Sequence, residues 1–180
     1  MVSYIEKEYQ KYILMVAISI FLLLLPFIHI KPMAPLLQFY KTIGTSMEPT
    51  LYEGMTVIAI PPEIYMLFDK TLLGEIVIYP ALQIGENYAT IFLISHRVVW
   101  ENETHVITKG DNNPEEDPYP IPKNQILGVV IYYTDIPTER VKLYYILGSL
   151  AIGIYGAYKG LQLKKRQYYY GTTYYPYYKR

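Results

Sequence analysis

No cysteine occurs among the 180 residues, which excludes a thiol nucleophile, a disulfide framework and any zinc site built on thiolates. Histidine is nearly as scarce. The three imidazoles include no pair at the spacing of a helical metalloprotease motif, so neither a metal nor a cofactor is expected. Acidic residues are missing altogether from residues 143–180, which carry six Lys and Arg, whereas residues 31–142 hold 14 Asp and Glu against eight Lys and Arg. An acidic centre is the wrong surface for a phosphate chain, and no nucleic-acid partner is expected. The basic end, beside an apolar run, has the charge of a cytoplasmic membrane face.

Two long apolar runs bracket the acidic centre. Residues 12–30 are 19 residues without a charge, about 28 Å as a helix and close to the hydrocarbon thickness of a bilayer. A cleavable signal peptide has a shorter apolar core, and Ala34 is followed by Pro35, which disfavours cleavage there, so an uncleaved anchor is expected. Residues 143–163 form a second run, interrupted only by Lys159, whose stem can carry its ammonium to the interface. Within it Ser149, Gly153, Gly156, Ala157 and Gly160 recur at three- and four-residue spacing, small side chains that let one membrane helix approach another. Lys164-Lys165-Arg166 follows directly and by the positive-inside rule belongs in the cytoplasm. The expected organisation is a short cytoplasmic N-terminus (1–11), a membrane span (12–30), an extracytoplasmic domain (31–142), a second span (143–163) and a basic, Tyr-rich cytoplasmic tail (164–180). The spans contact membrane lipid, and from Tyr168 onward the tail is expected to be disordered or to lie along the interface.

Between the runs the pattern is that of strands. Residues 57–60, 75–79, 91–100, 105–108 and 127–133 are short stretches rich in Val, Ile and Tyr, separated by Gly, Pro and Asn, and no helical period of useful length occurs. The fold class is therefore mainly β, flanked by N- and C-terminal transmembrane helices. Glu101-Asn102-Glu103 reads as a hairpin turn, and folding about it puts His96 opposite about Thr108 and brings the Gly110-Asp111 loop near His96. Which carboxylate meets the imidazole stays open, because a slip of one residue exchanges the two faces. Asn102-Glu103-Thr104 is also an N-glycosylation sequon at an exposed turn.

Three short polar segments carry the chemistry. Gly44-Thr45-Ser46-Met47-Glu48-Pro49-Thr50 is the first, Ser95-His96-Arg97 the second, and Gly110-Asp111-Asn112-Asn113 the third, with Asp117 six residues after Asp111. A hydroxyl, an imidazole and a carboxylate are the parts acyl transfer requires: a nucleophile, a base that takes and returns its proton, and an acid that orients the base. The Gly-x-Ser-x-Gly elbow and the order Ser, Asp, His of α/β-hydrolases are both absent around Ser46. His105 lies outside all three segments and is read as a surface or packing residue, and His29 as an interfacial one.

These segments, with weaker support from Gly74-Glu75-Ile76-Val77-Ile78-Tyr79, resemble the conserved boxes of type I signal peptidases over about residues 42–130. The bacterial branch of that family carries Lys as general base, so His96 in the matching box makes the chain similar to the archaeal and endoplasmic-reticulum branch. The resemblance implies a signal-peptidase-like β catalytic domain and a membrane-bound serine endopeptidase that removes signal peptides from exported preproteins after small residues. It implies Ser46 as nucleophile, His96 as general base, Asp117 as the orienting acid and Asp111 as its support, with the Ser46 N–H as an oxyanion donor. Gly44 stands where some bacterial relatives offer a hydroxyl, so a side-chain donor from that position is missing. The partners implied are signal peptides and the protein-export machinery, with an extended substrate lying beside a strand such as residues 75–79. Two other readings compete. A self-cleaving regulator of the same clan should be soluble, with a DNA-binding module and a Lys base; a catalytically inactive, membrane-anchored secretory scaffold would need none of these side chains.

Overall fold

A computed structural model of the chain describes residues 2–31, 34–84 and 89–174. It separates into two compact units, one formed by the terminal segments Met1–Leu24 and Leu143–Arg180 and one by Leu25–Lys142.

The terminal unit consists of helix α1 (Val2–Leu24) and the greater part of helix α2 (Thr138–Tyr174). By length and composition both can cross a membrane, over Glu6–Phe27 and Thr138–Lys165. Only 6% and 11% of their apolar windows are buried, so these side chains are not used to fill a protein core. Small residues decide how the two helices meet. A Cβ on Gly153 would lie 2.5 Å from Ser19 Oγ, and one on Gly156 would lie 3.0 Å from Met15 Cβ and from the Tyr12 carbonyl oxygen. Ser19 donates to the Ser149 carbonyl at 2.5 Å, and Tyr12 meets Tyr155 edge to face at 6.4 Å. Of the small residues read from the sequence, Ala157 alone is not on this face and is exposed.

Both helices differ in extent from the apolar runs. α1 starts at Val2 and ends at Leu24, because Pro26 cannot continue the ladder; a 3-10 turn (Leu25–Phe27) and a short strand β1 (His29–Lys31) take the rest of the run. α2 runs through residues 168–174, so this part of the tail is helical, where disorder or an interfacial segment was expected. Straight-chain Lys, Arg and Gln after Leu163 are good helix formers and no proline intervenes before Pro176. Residues 175–180 of the expected tail lie outside the described residues.

In Leu25–Lys142 a small antiparallel pair, β1 with β2 (Ala34–Pro35), precedes a seven-stranded sheet. Its strands are β3 (Gln38–Lys41), β4 (Thr56–Ile60), β5 (Ile76–Ile84), β6 (Ala89–Glu101), β7 (His105–Lys109), β8 (Ile121–Pro122) and β9 (Gly128–Thr134). The spatial order is β3-β4-β9-β5-β6-β7-β8, and every neighbouring pair is antiparallel. The mainly β expectation and all five strand stretches are thus found, with an α-helical turn (Pro62–Tyr65) and a 3-10 turn (Lys123–Gln125) added. β3 and β8 escape the sequence pattern, since neither is a Val- and Ile-rich run.

Alternation along β5 supplies both faces of the sheet. Val77 and Tyr79 join Leu72, Val98, Val106, Ile121, Ile126 and Val129 in one apolar cluster, while Ile76 and Ile78 join Met47, Leu51, Val57, Ala59 and Val130 in another. Met47 and Leu51 belong to the serine segment, so the second cluster anchors that segment to the sheet. Burying side chains of this size stabilises by about 1.5–3 kcal/mol each.

Candidate active site

The hairpin closes one or two residues later than its sequence suggests. Glu101 pairs with Val106, Asn102 N–H donates to the His105 carbonyl, and one extra residue between Val98 and Trp100 bulges β6. Val98 therefore faces Thr108, and Arg97 faces Lys109. The expected partner of His96, Thr108, is displaced by two positions, an even number, so His96 and Thr108 still share a face. On the other side of β6, Val77 pairs with His96 and Tyr79 with Ile94. Three adjacent strands, β5, β6 and β7, thus aim Tyr79, His96 and Thr108 at one place.

Ser46 comes to that place on a turn with no regular structure. Gly44, at φ +84°, turns the chain in the left-handed region that residues with a Cβ avoid. Glu48 N–H donates to the Thr45 carbonyl and Leu51 N–H to the Met47 carbonyl, and the Glu48–Pro49 peptide is cis. From behind, the Gly110 loop holds the turn. Asn112 donates from its backbone N–H to the Ser46 carbonyl at 2.8 Å and from its side chain to the Thr45 carbonyl at 3.1 Å. Gly110 passes so close that a Cβ there would lie 2.6 Å from the Ser46 carbonyl oxygen, which only glycine permits.

Ser46 Oγ lies 3.1 Å from His96 Nε2, and His96 Nδ1 lies 2.7 Å from Asp117 Oδ2. The same Oδ2 accepts O–H groups from Thr108 at 2.5 Å and Tyr79 at 3.0 Å. An oxygen already accepting in this way makes Nδ1 the donor, which leaves Nε2 to accept from the Ser46 hydroxyl. The His96 side chain is 9% exposed and that of Asp117 19%, so the contacts are largely shielded from water.

Asp111 goes elsewhere. It forms a forked ion pair with Arg97, Nε to Oδ1 at 2.9 Å and Nη2 to Oδ2 at 2.7 Å, and accepts from the Thr50 hydroxyl at 2.5 Å. The Arg97 guanidinium holds its carboxyl below the ordinary carboxylate value; burial opposes this and the Thr50 hydrogen bond adds to it. Arg97, pushed up in turn by Asp111, also donates to the Gly74 carbonyl at 2.8 Å. The cluster ties β6, the serine segment and the Gly110 loop together without touching the imidazole. Of the two carboxylates left open by the sequence, Asp117 is the one hydrogen-bonded to His96.

A cleft of about 580 Å³ opens on Ser46 and His96. Residues 40–44, Met47, Leu51, Ile78 and residues 92–95 line it. The expected docking strand, residues 75–79, does not suit an added strand, since Val77 and Ile78 are flanked by β6 on one side and β9 on the other. Along residues 91–95, by contrast, β6 pairs with β5 alone among the described residues, because β7 pairs from Arg97 onward.

Tyr79, Thr108, Thr50 and Arg97 have no assigned role in the sequence reading. Tyr79 and Thr108 sit in strands at positions matching the parity of His96, a signal that carries weight only once the register is known. His105 bonds Thr104 in the hairpin turn and His29 bonds the Phe27 carbonyl, both apart from the serine. Asn102 is exposed, its side-chain oxygen accepting from the backbone of Thr104 and His105. No family model, curated protein or solved structure matches the chain.

Proposed function

We propose that the chain is a membrane-bound serine endopeptidase of the signal-peptidase type, which removes signal peptides from exported preproteins after small residues. The observation that carries this reading is the hydrogen-bonded series Ser46, His96, Asp117 at the edge of an open cleft. In that reading His96 Nε2 takes the Ser46 proton as Oγ bonds to the scissile carbonyl carbon. The imidazolium is held by Asp117 and then gives its proton to the departing amine. Water, deprotonated by the same imidazole, hydrolyses the resulting ester and restores Ser46. The Ser46 N–H is assigned to the oxyanion.

The substrate lies extended along the edge of β6 over residues 91–95, where backbone groups bind it independently of its side chains. The two long apolar helices anchor the enzyme, and tethering it beside a membrane-held preprotein raises the effective concentration of one for the other. The positive charge of Lys164-Lys165-Arg166 supports a topology with both termini in the cytoplasm and the β unit outside, where the protein-export machinery delivers its substrates.

The test is incubation of purified protein in detergent with a preprotein carrying an Ala-x-Ala site, beside Ser46→Ala. The wild-type chain is expected to cut once, after the second Ala, and the variant not at all. Comparable cutting by Ser46→Ala, in proportion to the amount of enzyme, would sink the proposal.

A further inference from the structure

Asp117 stands in a loop whose residues 114–116 are exposed, a poor platform for an acid that must hold an imidazole within a fraction of an ångström. Something must fix it. Its backbone N–H donates to the Thr108 carbonyl at 2.7 Å, and Thr108 and Tyr79 then hold the carboxylate from the neighbouring strands. Thr108 is fully buried and Tyr79 is 6% exposed. A hydroxyl taken so far from water needs a partner, and both find theirs in Asp117 Oδ2, with the two hydroxyl oxygens themselves 3.1 Å apart. Burial pushes the Tyr79 phenol well above its ordinary range; the Thr108 contact opposes this and the nearby negative Asp117 adds to it, so the phenol stays a proton donor.

Resting on the peptidase reading above, we propose that Tyr79 and Thr108 are positioning residues: a pair of hydroxyls that clamps Asp117 Oδ2 against His96 Nδ1. Neither touches substrate or the reacting atoms. Tyr79 fits this task better than a second threonine would, because its ring is rooted in the apolar cluster and its hydroxyl reaches across the sheet from the far side of β6. The Gly74-to-Tyr79 segment thereby acquires a chemical role at its last residue, beyond that of a strand.

Tyr79→Phe and Thr108→Val keep the buried shape and remove one donor each. Each is expected to lower kcat about ten-fold, the scale of one hydrogen bond to a charged acceptor, with KM unchanged. The double variant should lose more than the product of the two, since either hydroxyl alone still restrains the carboxylate. A merely structural pair would instead lower the melting temperature and leave the His96–Asp117 bond as it is. That bond is read directly by the proton resonance of His96 Nδ1–H in detergent-solubilised, ¹⁵N-histidine-labelled protein without substrate. The resonance should move and broaden by faster exchange in Tyr79→Phe, and more so in the double variant, at melting temperatures near that of the wild type. An unchanged resonance with unchanged kcat in the folded double variant overturns the clamp. Because the resonance is observed without turnover, absence of peptidase activity in the wild-type chain would refute the peptidase reading separately.

Discussion

Replacing Asp117 by Asn separates charge from shape at the carboxylate that touches His96. The amide has the same size and keeps an oxygen able to accept from Thr108 and Tyr79. What it lacks is the negative charge facing the imidazolium that, in the proposed mechanism, forms when His96 takes the Ser46 proton. With Nδ1 and Oδ2 2.7 Å apart the charge centres lie about 4 Å from each other, and at an effective dielectric near 20 the attraction is about 4 kcal/mol, roughly a thousand-fold in rate. The side chains are 9% and 19% exposed, so water screens little of it. An Asn that turns its NH₂ toward the ring also imposes the wrong tautomer, which takes the loss to about ten-thousand-fold. The expected outcome for Asp117→Asn is a fall in kcat of about a thousand- to ten-thousand-fold with little change in melting temperature. Asp111→Asn should do the reverse: less than about a ten-fold loss of kcat, with stability down by about 1–3 kcal/mol because Arg97 loses a charged, forked partner. Both variants are assayed on one preprotein at one pH, with thermal melting in the same detergent. A nearly fully active Asp117→Asn beside an inactive, undiminished Asp111→Asn would refute the reasoning and reverse the roles of the two acids.

Ser46→Ala and His96→Ala should each abolish nearly all cleavage, and the double variant should be hardly worse, because in the proposed mechanism nucleophile and base work as one unit; full additivity in a single-turnover assay would show that they do not. Gly110→Ala places a Cβ 2.6 Å from the Ser46 carbonyl oxygen, so the serine turn must shift; cleavage should fall about a hundred-fold while the fold survives, as judged by circular dichroism and activity together. Asp111, depressed by Arg97 from its ordinary 3.8, contributes stability that is complete above that value and disappears as the pH falls through its lower folded value. The stability gap between wild type and Asp111→Asn should therefore be constant near neutrality and close in acid below about pH 4; a gap that widens in acid contradicts the ion pair. Protease added to intact cells should cut near Asn102 and spare a tag after Arg180, whereas digestion of that tag from outside would overturn the two-span topology.

The sequence by itself determined the longer elements. Alternating Val, Ile and Tyr announce β4, β5, β6, β7 and β9, and two charge-poor runs announce the helices, because period and hydropathy are local properties that survive without knowledge of partners. Of the stripe Ser149, Gly153, Gly156, Ala157 and Gly160, all but Ala157 likewise foretold which face of α2 meets α1, since a missing side chain is a steric fact wherever the helix goes. Helix ends were less legible: Pro26 stopped α1 inside its apolar run, and good helix formers carried α2 beyond its own. What only the tertiary structure decided is which acid meets the imidazole. Asp111 and Asp117 are six residues apart in one polar stretch, and nothing local distinguishes them. The bulge at Val98 to Trp100 shifts the pairing of β6 with β7, Arg97 turns to the opposite face from His96 and takes Asp111, and Thr108 and Tyr79 receive Asp117. Strand register, which assigns each side chain to a face and a partner, is a property of pairs of strands and cannot be read from either one alone.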